Sequence, residues 1–427
     1  MIRNATIGID LGTSGCRAIV IDDADNIIAT SRQLFDPQQI NSTEQNPDYH
    51  WQTVKTVLAN VISQIHGFKI VAICVDATSG SVVVASKKGK ALTPLLMYND
   101  SRAVKQSQLI KIIAPAHSAA HGATSGLAKL LYLNTHHQFT TDTVLMHQAD
   151  WINAKLGAHI GITDENNALK TGYDPIERCW PHWISTLHLK PAFPTVVPSG
   201  SVIGQLSPTL VDKFQLTNQP NLIAGTTDSI AALIATNSSY IGNAVTSLGS
   251  SLVVKLISDS PVFIPEQGVY SHRLGNKWLV GGASNTGGAV LAHYFNSSQL
   301  QQLSEHIDLS KKPAVNYYPL LTNGERFPIN DPDKPGILSP RPKSDIDFLH
   351  GLLDGMARIE QLAYQCLEHA GASPLTSITT VGGGSVNTTW QTIRQHYINV
   401  PFLTAEHTEA AYGSAQIARG YLSTFKD

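Results

Sequence analysis

The chain has 427 residues, of which 42% are hydrophobic and 15% charged, and its formal net charge at pH 7 is −2. This length favours more than one domain with sizeable cores, and the near-neutral charge argues against nucleic acid or another polyanion as a partner. The chain has no apolar run of about 18 residues, so no membrane span is expected. Four scattered cysteines without a CxxC pair favour free thiols in a reducing compartment. No basic and apolar leader precedes the first strand, so we expect a cytoplasmic protein.

The N-terminal part of the chain predicts alternating strands and helices. Residues 6–21 have the pattern of a strand, a glycine-containing turn and a second strand. Residues 48–66 carry apolar side chains at helical spacing, which predicts an amphipathic helix. Residues 70–75 form a continuous apolar run before Asp76, as in a central strand that is buried on both faces. This alternation predicts an α/β architecture.

A weak internal repeat links two distant parts of the chain. Residues 9–21 and 245–257 each contain an apolar stretch, then Leu-Gly-Thr/Ser-Ser, then a second apolar stretch. Two such strand–turn–strand units indicate a duplicated fold with one phosphate-approaching hairpin in each half. The alternative is that two β-hairpins resemble each other by chance, and this pair alone favours that alternative.

The middle of the chain and its C-terminal third differ in composition. Residues 174–220 are rich in proline and predict a loop-rich connection with short helices, and residues 313–342 predict a second loop-rich stretch. The pattern then predicts a helix near 346–370, a strand near 378–381, a glycine turn at 382–384 and helices near 387–397 and 408–424.

The segment Asp10-Leu-Gly-Thr-Ser14 combines residue types that suit a metal ion and a phosphate. Its turn offers backbone N–H groups to phosphate oxygens, and Gly12 allows a close approach of the backbone. Asp10 is a candidate for holding Mg²⁺ through water, and Arg17 is a candidate for meeting a phosphate. The alternative is an ordinary hairpin with a turn-favouring aspartate, which we favour for the motif in isolation. The chain has no GxxxxGK(S/T) sequence, which excludes a P-loop.

Asp228 follows the apolar run 222–225 at the start of a predicted helix near Ser229. One interpretation is a helix cap, where the helix dipole favours a negative charge. The other is a general base that takes a proton from a substrate hydroxyl, as an acidic residue does in kinase chemistry. Taken alone, the position favours the cap.

Two glycine-rich turns, at 281–288 and 381–390, each lead into a predicted helix. Such turns let a nucleotide lie against bare backbone with its phosphates near a helix N-terminus. Asn387 is a candidate for a hydrogen bond to a base edge, and Trp390 for stacking or for walling the pocket. The alternative is flexible turns with capping residues. The 17 histidines show no spacing typical of a metal site.

Taken in chain order, these segments resemble the FGGY carbohydrate kinases, within the actin-like, ribonuclease-H-like ATPase superfamily. The resemblance covers nearly the whole chain. Its segments are Ile9-Asp10-Leu-Gly-Thr-Ser14, Tyr98-Asn99-Asp100-Ser-Arg102, Ser125-Gly-Leu-Ala-Lys129-Leu130, Asp150-Trp151, Thr163-Asp164, Ala168-Leu-Lys-Thr-Gly172, Gly225-Thr-Thr-Asp228, Thr246-Ser-Leu-Gly-Ser250, Gly324-Glu-Arg-Phe-Pro-Ile-Asn-Asp331, Gly382-Gly-Gly384 and Glu409-Ala-Ala-Tyr-Gly413.

The resemblance implies an α/β fold of two ribonuclease-H-like domains with a central cleft. Residues 1–235 plus 409–427 would form the sugar-binding domain and residues 236–408 the nucleotide-binding domain. The enzyme would use ATP and Mg²⁺ to phosphorylate a small sugar. Neither nucleic acid nor a membrane is expected as a partner, and a homodimer is possible. Asp228 would be the general base, and Asp10 and Thr13 would interact with the metal and the transferred phosphate. The nucleotide would be lined by Gly12, Thr13, Ser14, Arg17, Gly249, Ser250, Gly383, Gly384, Asn387 and Trp390.

The segments 75–81, 224–231 and 268–272 resemble a compact subgroup of the family from cyanobacteria and plants, described as D-ribulose kinases and often labelled xylulose kinases. This likeness implies that Ser79 joins Asp10 and Asp228 at the ketose. The segment 98–102 departs from that subgroup toward the wider family. We therefore expect phosphorylation of a pentulose, D-ribulose first and D-xylulose as the alternative. A non-catalytic nucleotide-binding regulator and a phosphatase of the same fold are the alternatives from other functional classes.

Overall fold

The computed structural model describes residues 3–313 and 315–425 and divides them into two compact units. The first unit contains the chain up to Asn237, the short segment Arg273–Asn276 and the chain from His407 onward. The second unit contains Ser238–His272 and Lys277–Glu406. The predicted domain limits at residues 1 and 427 lie outside the described residues.

Strands and helices alternate along most of the chain. The strands are β1 (Arg3–Leu11), β2 (Gly15–Asp22), β3 (Ile27–Leu34), β4 (Glu44–Gln45), β5 (Phe68–Ala77), β6 (Val82–Ser86), β7 (Leu95–Leu96), β8 (Thr143–His147), β9 (Ile162–Asp164), β10 (Thr195–Val197), β11 (Val202–Gln205), β12 (Asn221–Ile223), β13 (Asn243–Leu248), β14 (Leu252–Ser258), β15 (His272–Leu274), β16 (Lys277–Ser284), β17 (Ser377–Val381) and β18 (Phe402–Leu403). The helices are α1 (Pro47–Ile62), α2 (Val104–Ile113), α3 (Gly126–His136), α4 (Gln148–Leu156), α5 (Glu165–Leu169), α6 (His182–Ser185), α7 (Pro208–Lys213), α8 (Asp228–Ala235), α9 (Gly288–Tyr294), α10 (Ser297–Glu305), α11 (Asp345–His369), α12 (Thr388–Tyr397) and α13 (Ala410–Ala418).

The main sheet of the first unit has the strand order β3-β2-β1-β5-β12-β11, with β1 antiparallel to β2 and parallel to β5. Side chains alternate across β1 because successive residues of a strand point to opposite faces. Ile7 and Ile9 share a core with Val54 of α1. Gly8 points to the other face, where a Cβ atom would clash with the backbone oxygen of Ala411 in α13. A glycine at this position therefore lets α13 pack directly on the sheet.

The second unit repeats this arrangement. Five of its strands follow the order β16-β14-β13-β17-β18, in which β13 is antiparallel to β14 and parallel to β17. The hairpin β13–β14 thus holds the position that β1–β2 holds in the first unit. Duplication explains this match better than chance, so the explanation that the sequence pair alone favoured is wrong.

The structure corrects several element boundaries. Helix α1 ends at Ile62 rather than at residue 66, and the predicted helix 408–424 is α13 followed by a separate 3₁₀ turn, Tyr421–Phe425. The proline-rich stretch 174–220 contains the short helices α6 and α7, as predicted, but also the strands β10 and β11. Those strands have three or four residues each, which is too short for a period-two pattern to stand out.

Two remaining predictions concern thiols and membranes. Cys16, Cys74 and Cys179 are free thiols, as predicted; Cys16 and Cys74 are buried, whereas Cys179 is exposed. Within residues 3–313 and 315–425, no helix combines the length and the apolar character needed to cross a membrane.

Candidate active site

Three aspartates come together in the first unit. Asp10 on β1 lies directly opposite Asp76 on β5 in the parallel pair, and the charge of Asp10 acts on the carboxyl group of Asp76. Asp228 is the first residue of α8, and its charge acts on both of the other carboxyl groups. Parallel strands bring their carboxyl ends to one edge of a sheet, which explains why residues this far apart in sequence meet.

Burial is the main influence on the Asp10–Asp76 pair. It raises the pKa of Asp10 to about 6, the negative charge of Asp228 adds to the rise, and the charge of Arg17 opposes it. Burial likewise raises the pKa of Asp76 well above its usual range, with the charges of Asp10 and Asp228 adding to it. Neighbouring carboxyl groups disfavour each other's ionised form, so this arrangement favours retention of a proton by the pair.

Asp76 was not among the site residues predicted from the sequence. It is fully buried, and its Oδ2 accepts a hydrogen bond of 2.5 Å from the hydroxyl of Ser414 in α13. Its Oδ1 has no partner among the described residues. The signal available in the sequence was an aspartate that closes a continuous apolar run, which is a costly position for a carboxyl group unless it has partners.

Asp228 does not cap its helix. Thr227 is the N-cap residue of α8, and Asp228 is the first residue inside the helix, where its Oδ1 accepts a hydrogen bond of 2.6 Å from Ser229 N–H. The cap interpretation of Asp228 is therefore wrong. The preceding segment is anchored by Asn166 of α5, whose Nδ2 donates to Thr226 Oγ1 at 3.0 Å. The anchored backbone holds Asp228 half-buried at the start of a helix, where the dipole favours a negative charge.

Ser79 lies in a tight loop after β5, and its hydroxyl is buried without a partner among the described residues. The loop is fixed on both sides of it. Thr78 donates to Oε1 of Gln148 at 2.6 Å, and buried Lys129 donates to the carbonyl oxygen of Gly80 at 2.8 Å. A buried hydroxyl without a partner costs free energy. A polar ligand that bonded to Ser79 would remove this cost.

Glu165, next to Asn166, allows the effect of burial on a carboxyl group to be tested through the pH dependence of stability. Burial raises the pKa of Glu165 to about 7, with the charge of Arg178 opposing the rise. The folded state therefore keeps a proton that the unfolded chain loses above its ordinary pKa, so this contribution to stability is lost as pH rises through 7. Relative to wild type, we expect Glu165→Gln to gain about 2 kcal/mol in the free energy of unfolding between pH 5 and pH 8. Urea unfolding of both proteins at the two pH values measures this, and an unchanged difference would contradict it.

The turn between β1 and β2 contains the predicted phosphate-binding residues. Thr13 and Ser14 are exposed at its tip. A Cβ atom at Gly12 would meet no described atom closer than 3.9 Å, so the fold itself does not require glycine there. Arg17 lies opposite Asp10 in the hairpin, and its guanidinium forms an ion pair with Glu409. Open space in front of Gly12 fits a ligand that approaches the backbone.

The second unit contains a pocket of about 770 Å³. Its lining comes from the β13–β14 turn, α9, α10 and the glycine turn before α12, namely Leu248, Gly249, Ser250, Gly288, Ala289, Leu291, Ala292, Ser297, Leu300, Gln301, Ser304, Glu305, Gly383, Gly384, Val386, Asn387, Thr388, Thr389 and Trp390. A Cβ atom at Gly383 would meet nothing within 4 Å among the described residues, and one at Gly249 nothing closer than 3.8 Å. These two glycines, like Gly12, leave the backbone open to a ligand.

Trp390 and Asn387 have structural tasks in this pocket. Trp390 is 1% exposed, and a Cβ atom at Gly384 would lie 2.6 Å from its ring. Trp390 is therefore a wall of the pocket rather than an open stacking platform. Asn387 caps α12, since its Oδ1 accepts from Trp390 N–H at 2.9 Å, and its Nδ2 donates to Ser304 Oγ at 2.8 Å. A contact to a base would use its second N–H or second lone pair.

A magnesium ion fits the first-unit site through a single carboxylate. The described residues contain no group of three histidine, cysteine or acidic side chains placed to hold a metal. Mg²⁺ does not require one, because it keeps several waters and binds through one or two carboxylates together with substrate phosphates. Half-buried Asp10, beside the open turn at Gly12, is such a carboxylate.

Sequence comparison supplies the family. The N-terminal domain of the FGGY family of carbohydrate kinases matches residues 5–235, and the C-terminal domain of the same family matches residues 244–419. The chain belongs to this family. It is therefore a sugar phosphotransferase with ATP as the phosphate donor, and the predicted enzyme class is confirmed.

Relatives of this FGGY kinase extend along nearly its whole length. A xylulose kinase from Staphylococcus epidermidis is 23% identical and aligns with 100% of this chain and 90% of its own length. A gluconokinase from Bacillus subtilis is 21% identical over 95% of this chain and 85% of its own. The solved structure of a ligand-bound xylulose kinase from Lactobacillus acidophilus superposes with a TM-score of 0.85 at 19% identity, covering 99% of this chain and 90% of that one. The predicted α/β fold of two ribonuclease-H-like units is confirmed.

Proposed function

We propose that this kinase phosphorylates a pentulose, with D-xylulose as the favoured substrate and D-ribulose as the second candidate. The observation that carries the proposal is the combination, within one unit, of half-buried Asp10 and Asp228 with the hydroxyl of Ser79, which has no partner among the described residues. Two acidic groups and a hydroxyl suit a polyhydroxylated ligand, which offers both donors and acceptors. The names of the relatives from Staphylococcus epidermidis and Lactobacillus acidophilus favour xylulose. The sequence segments around Ser79 and Asp228 favour D-ribulose.

In the proposed reaction, Asp228 accepts the proton of the sugar hydroxyl as the hydroxyl oxygen attacks the γ-phosphorus of ATP. The new P–O bond forms as the bond to the β-phosphate oxygen breaks, and ADP leaves in line with the attack. Most of the acceleration comes from positioning and from neutralisation of charge. Asp10 would hold Mg²⁺ through water, and the bound ion would neutralise phosphate charge. Thr13 would contact the transferred phosphate.

The two units would divide the substrates between them. We assign the sugar to the first unit, through Asp10, Ser79 and Asp228, and the phosphates in part to its turn at Gly12, Thr13, Ser14 and Arg17. We assign the nucleotide to the pocket of the second unit, which includes Gly249, Ser250, Gly383, Gly384, Asn387 and Trp390. The open backbone at Gly249 and Gly383 supports this assignment, since neither glycine is needed for packing.

The test is ADP release by the purified protein with Mg-ATP and one acceptor at a time. The acceptors are D-xylulose, D-ribulose, L-ribulose, D-gluconate and glycerol, with a reaction without acceptor as the background. We expect strong stimulation by D-xylulose, and the same result with D-ribulose would select the second candidate. Stimulation by D-gluconate alone, as the Bacillus subtilis relative allows, would overturn the pentulose proposal but leave the kinase assignment intact.

A further inference from the structure

A buried glutamate in the loop-rich stretch before α11 accepts four hydrogen bonds. Glu325 Oε2 accepts from the hydroxyl groups of Ser284, at 2.6 Å, and Tyr318, at 2.9 Å. Its Oε1 accepts from the backbone N–H groups of Asn285, at 2.8 Å, and Arg326, at 2.9 Å. The residue is 2% exposed, and four donors fill the acceptor positions that a carboxylate offers. The side chain therefore fixes the end of β16 and the backbone that follows it.

The backbone that this carboxylate holds is the turn between β16 and α9. Ser284 Oγ also accepts from the N–H of Thr286 at 3.1 Å, and the carbonyl oxygen of Thr286 accepts from the N–H of Leu252 at 2.7 Å. Gly288 N–H donates to the carbonyl oxygen of Gly249 at 2.8 Å. A Cβ atom at Gly288 would lie 2.6 Å from that same oxygen, so the two turns are in close contact.

Hydrogen bonds and the backbone of the 284–288 turn thus connect the buried carboxylate to the edge of the pocket. Gly249, Ser250 and Gly288 line the pocket of about 770 Å³, and Glu325 does not. Gly249 has no side chain that could pack against its surroundings. The backbone of the β13–β14 turn is therefore held by its contact with the 284–288 turn. A shift of that neighbour would move the backbone N–H groups of Gly249 and Ser250.

We propose that Glu325 is a positioning residue for the phosphates of the nucleotide. It sets the 284–288 turn, and this turn sets the Gly249–Ser250 backbone at the mouth of the nucleotide pocket. This role rests on the proposed assignment of the nucleotide to the second unit. Glu325 itself touches no substrate, so its effect is on affinity for the nucleotide rather than on the chemical step.

The first test is calorimetric titration of Mg-ADP into wild type, Glu325→Ala and Glu325→Gln. Alanine removes all four acceptors, and we expect the Kd for ADP to rise about tenfold or more, as small misplacements of binding groups do. Glutamine keeps an oxygen for the two backbone N–H groups, and its amide can donate to the two hydroxyls once they rotate. Glu325→Gln is therefore expected to restore most of the affinity.

Steady-state kinetics with each substrate varied in turn distinguish a positioning role from a general loss of stability. Glu325→Ala should raise KM for ATP in parallel with Kd while it leaves KM for the sugar unchanged. The matched control is Asp354→Ala, which removes a buried carboxylate of the same unit whose hydrogen bonds among the described residues go to Tyr397 and Arg358, not to the 284–288 turn. Asp354→Ala should lower Tm without weakening the binding of ADP. If Glu325→Ala fails to fold, Ser284→Ala, which removes one of the four donors, should still raise Kd in the same direction.

The outcomes distinguish the inference from the function on which it rests. If wild type binds ADP and the Glu325 and Ser284 variants bind it equally well, the positioning role is overturned and the proposed function stands. If Asp354→Ala weakened ADP binding as much as Glu325→Ala does, the positioning role would also be overturned, because any loss of stability would then be enough to weaken ADP binding. If wild type does not bind ADP, both the assignment of the pocket and this inference fail.

Discussion

Replacement of Asp228 by asparagine is expected to lower kcat by about 10²–10⁴-fold, the range that a positioned general base contributes. Asparagine keeps the size and one oxygen of the side chain but cannot take the proton of the sugar hydroxyl. It also removes a negative charge that raises the pKa values of Asp10 and Asp76. The measurement is the initial rate of ADP release at saturating sugar and Mg-ATP.

The control for this variant is nucleotide binding. Asp228 is assigned to the sugar and does not line the proposed nucleotide pocket, so Asp228→Asn should bind Mg-ADP with wild-type affinity. Asp142→Asn removes an exposed carboxylate of the first unit and should leave the rate unchanged. A kcat of Asp228→Asn within a few-fold of wild type would exclude Asp228 as the base.

Local sequence patterns predicted the parts of the fold that depend on local spacing. The hairpin β1–β2, the buried strand β5 and the helix α11 follow from apolar runs and helical periodicity, which neighbouring residues fix by themselves. The positions of Asp10 and Asp228 also followed, because each lies beside a strand end or helix start that the pattern marks. Segments of two to four residues, such as β10 and β11, carry too little periodicity to be recognised.

Residues that act through distant partners were not predictable in this way. Asp76 is marked only by the apolar run before it, and its role depends on Asp10 across the strand pair and Ser414 in the last helix of the chain. Asn166 and Glu325 are held by bonds to residues far away in sequence. Hydrogen bonds of this kind follow from the tertiary arrangement, which one sequence does not display. Asn387 shows the reverse case, since a residue selected for the ligand also caps a helix.

The most buried ion pair described in the second unit joins four of its elements. Arg394 of α12 donates to Glu360 of α11 through Nε, at 2.6 Å, and Nη2, at 2.7 Å. Thr246 of β13 donates to Glu360 Oε1 at 2.5 Å, and Arg394 Nη1 donates to Thr380 of β17 at 2.8 Å. The two charged residues are 1% and 0% exposed, respectively. Removal of one partner would leave the other charge buried without compensation.

Arg394→Met is therefore expected to lower the free energy of unfolding by about 3–5 kcal/mol. Urea unfolding followed by circular dichroism measures the change. The double variant Arg394→Met/Glu360→Leu removes both charges and should be markedly less destabilised than Arg394→Met, since apolar pairs of similar volume replace buried ion pairs with little loss. Lys311→Met, which breaks an exposed ion pair with Asp308, should leave stability unchanged. If the double variant were as unstable as the sum of the two single variants, the cost would arise from lost packing rather than from an unpaired buried charge.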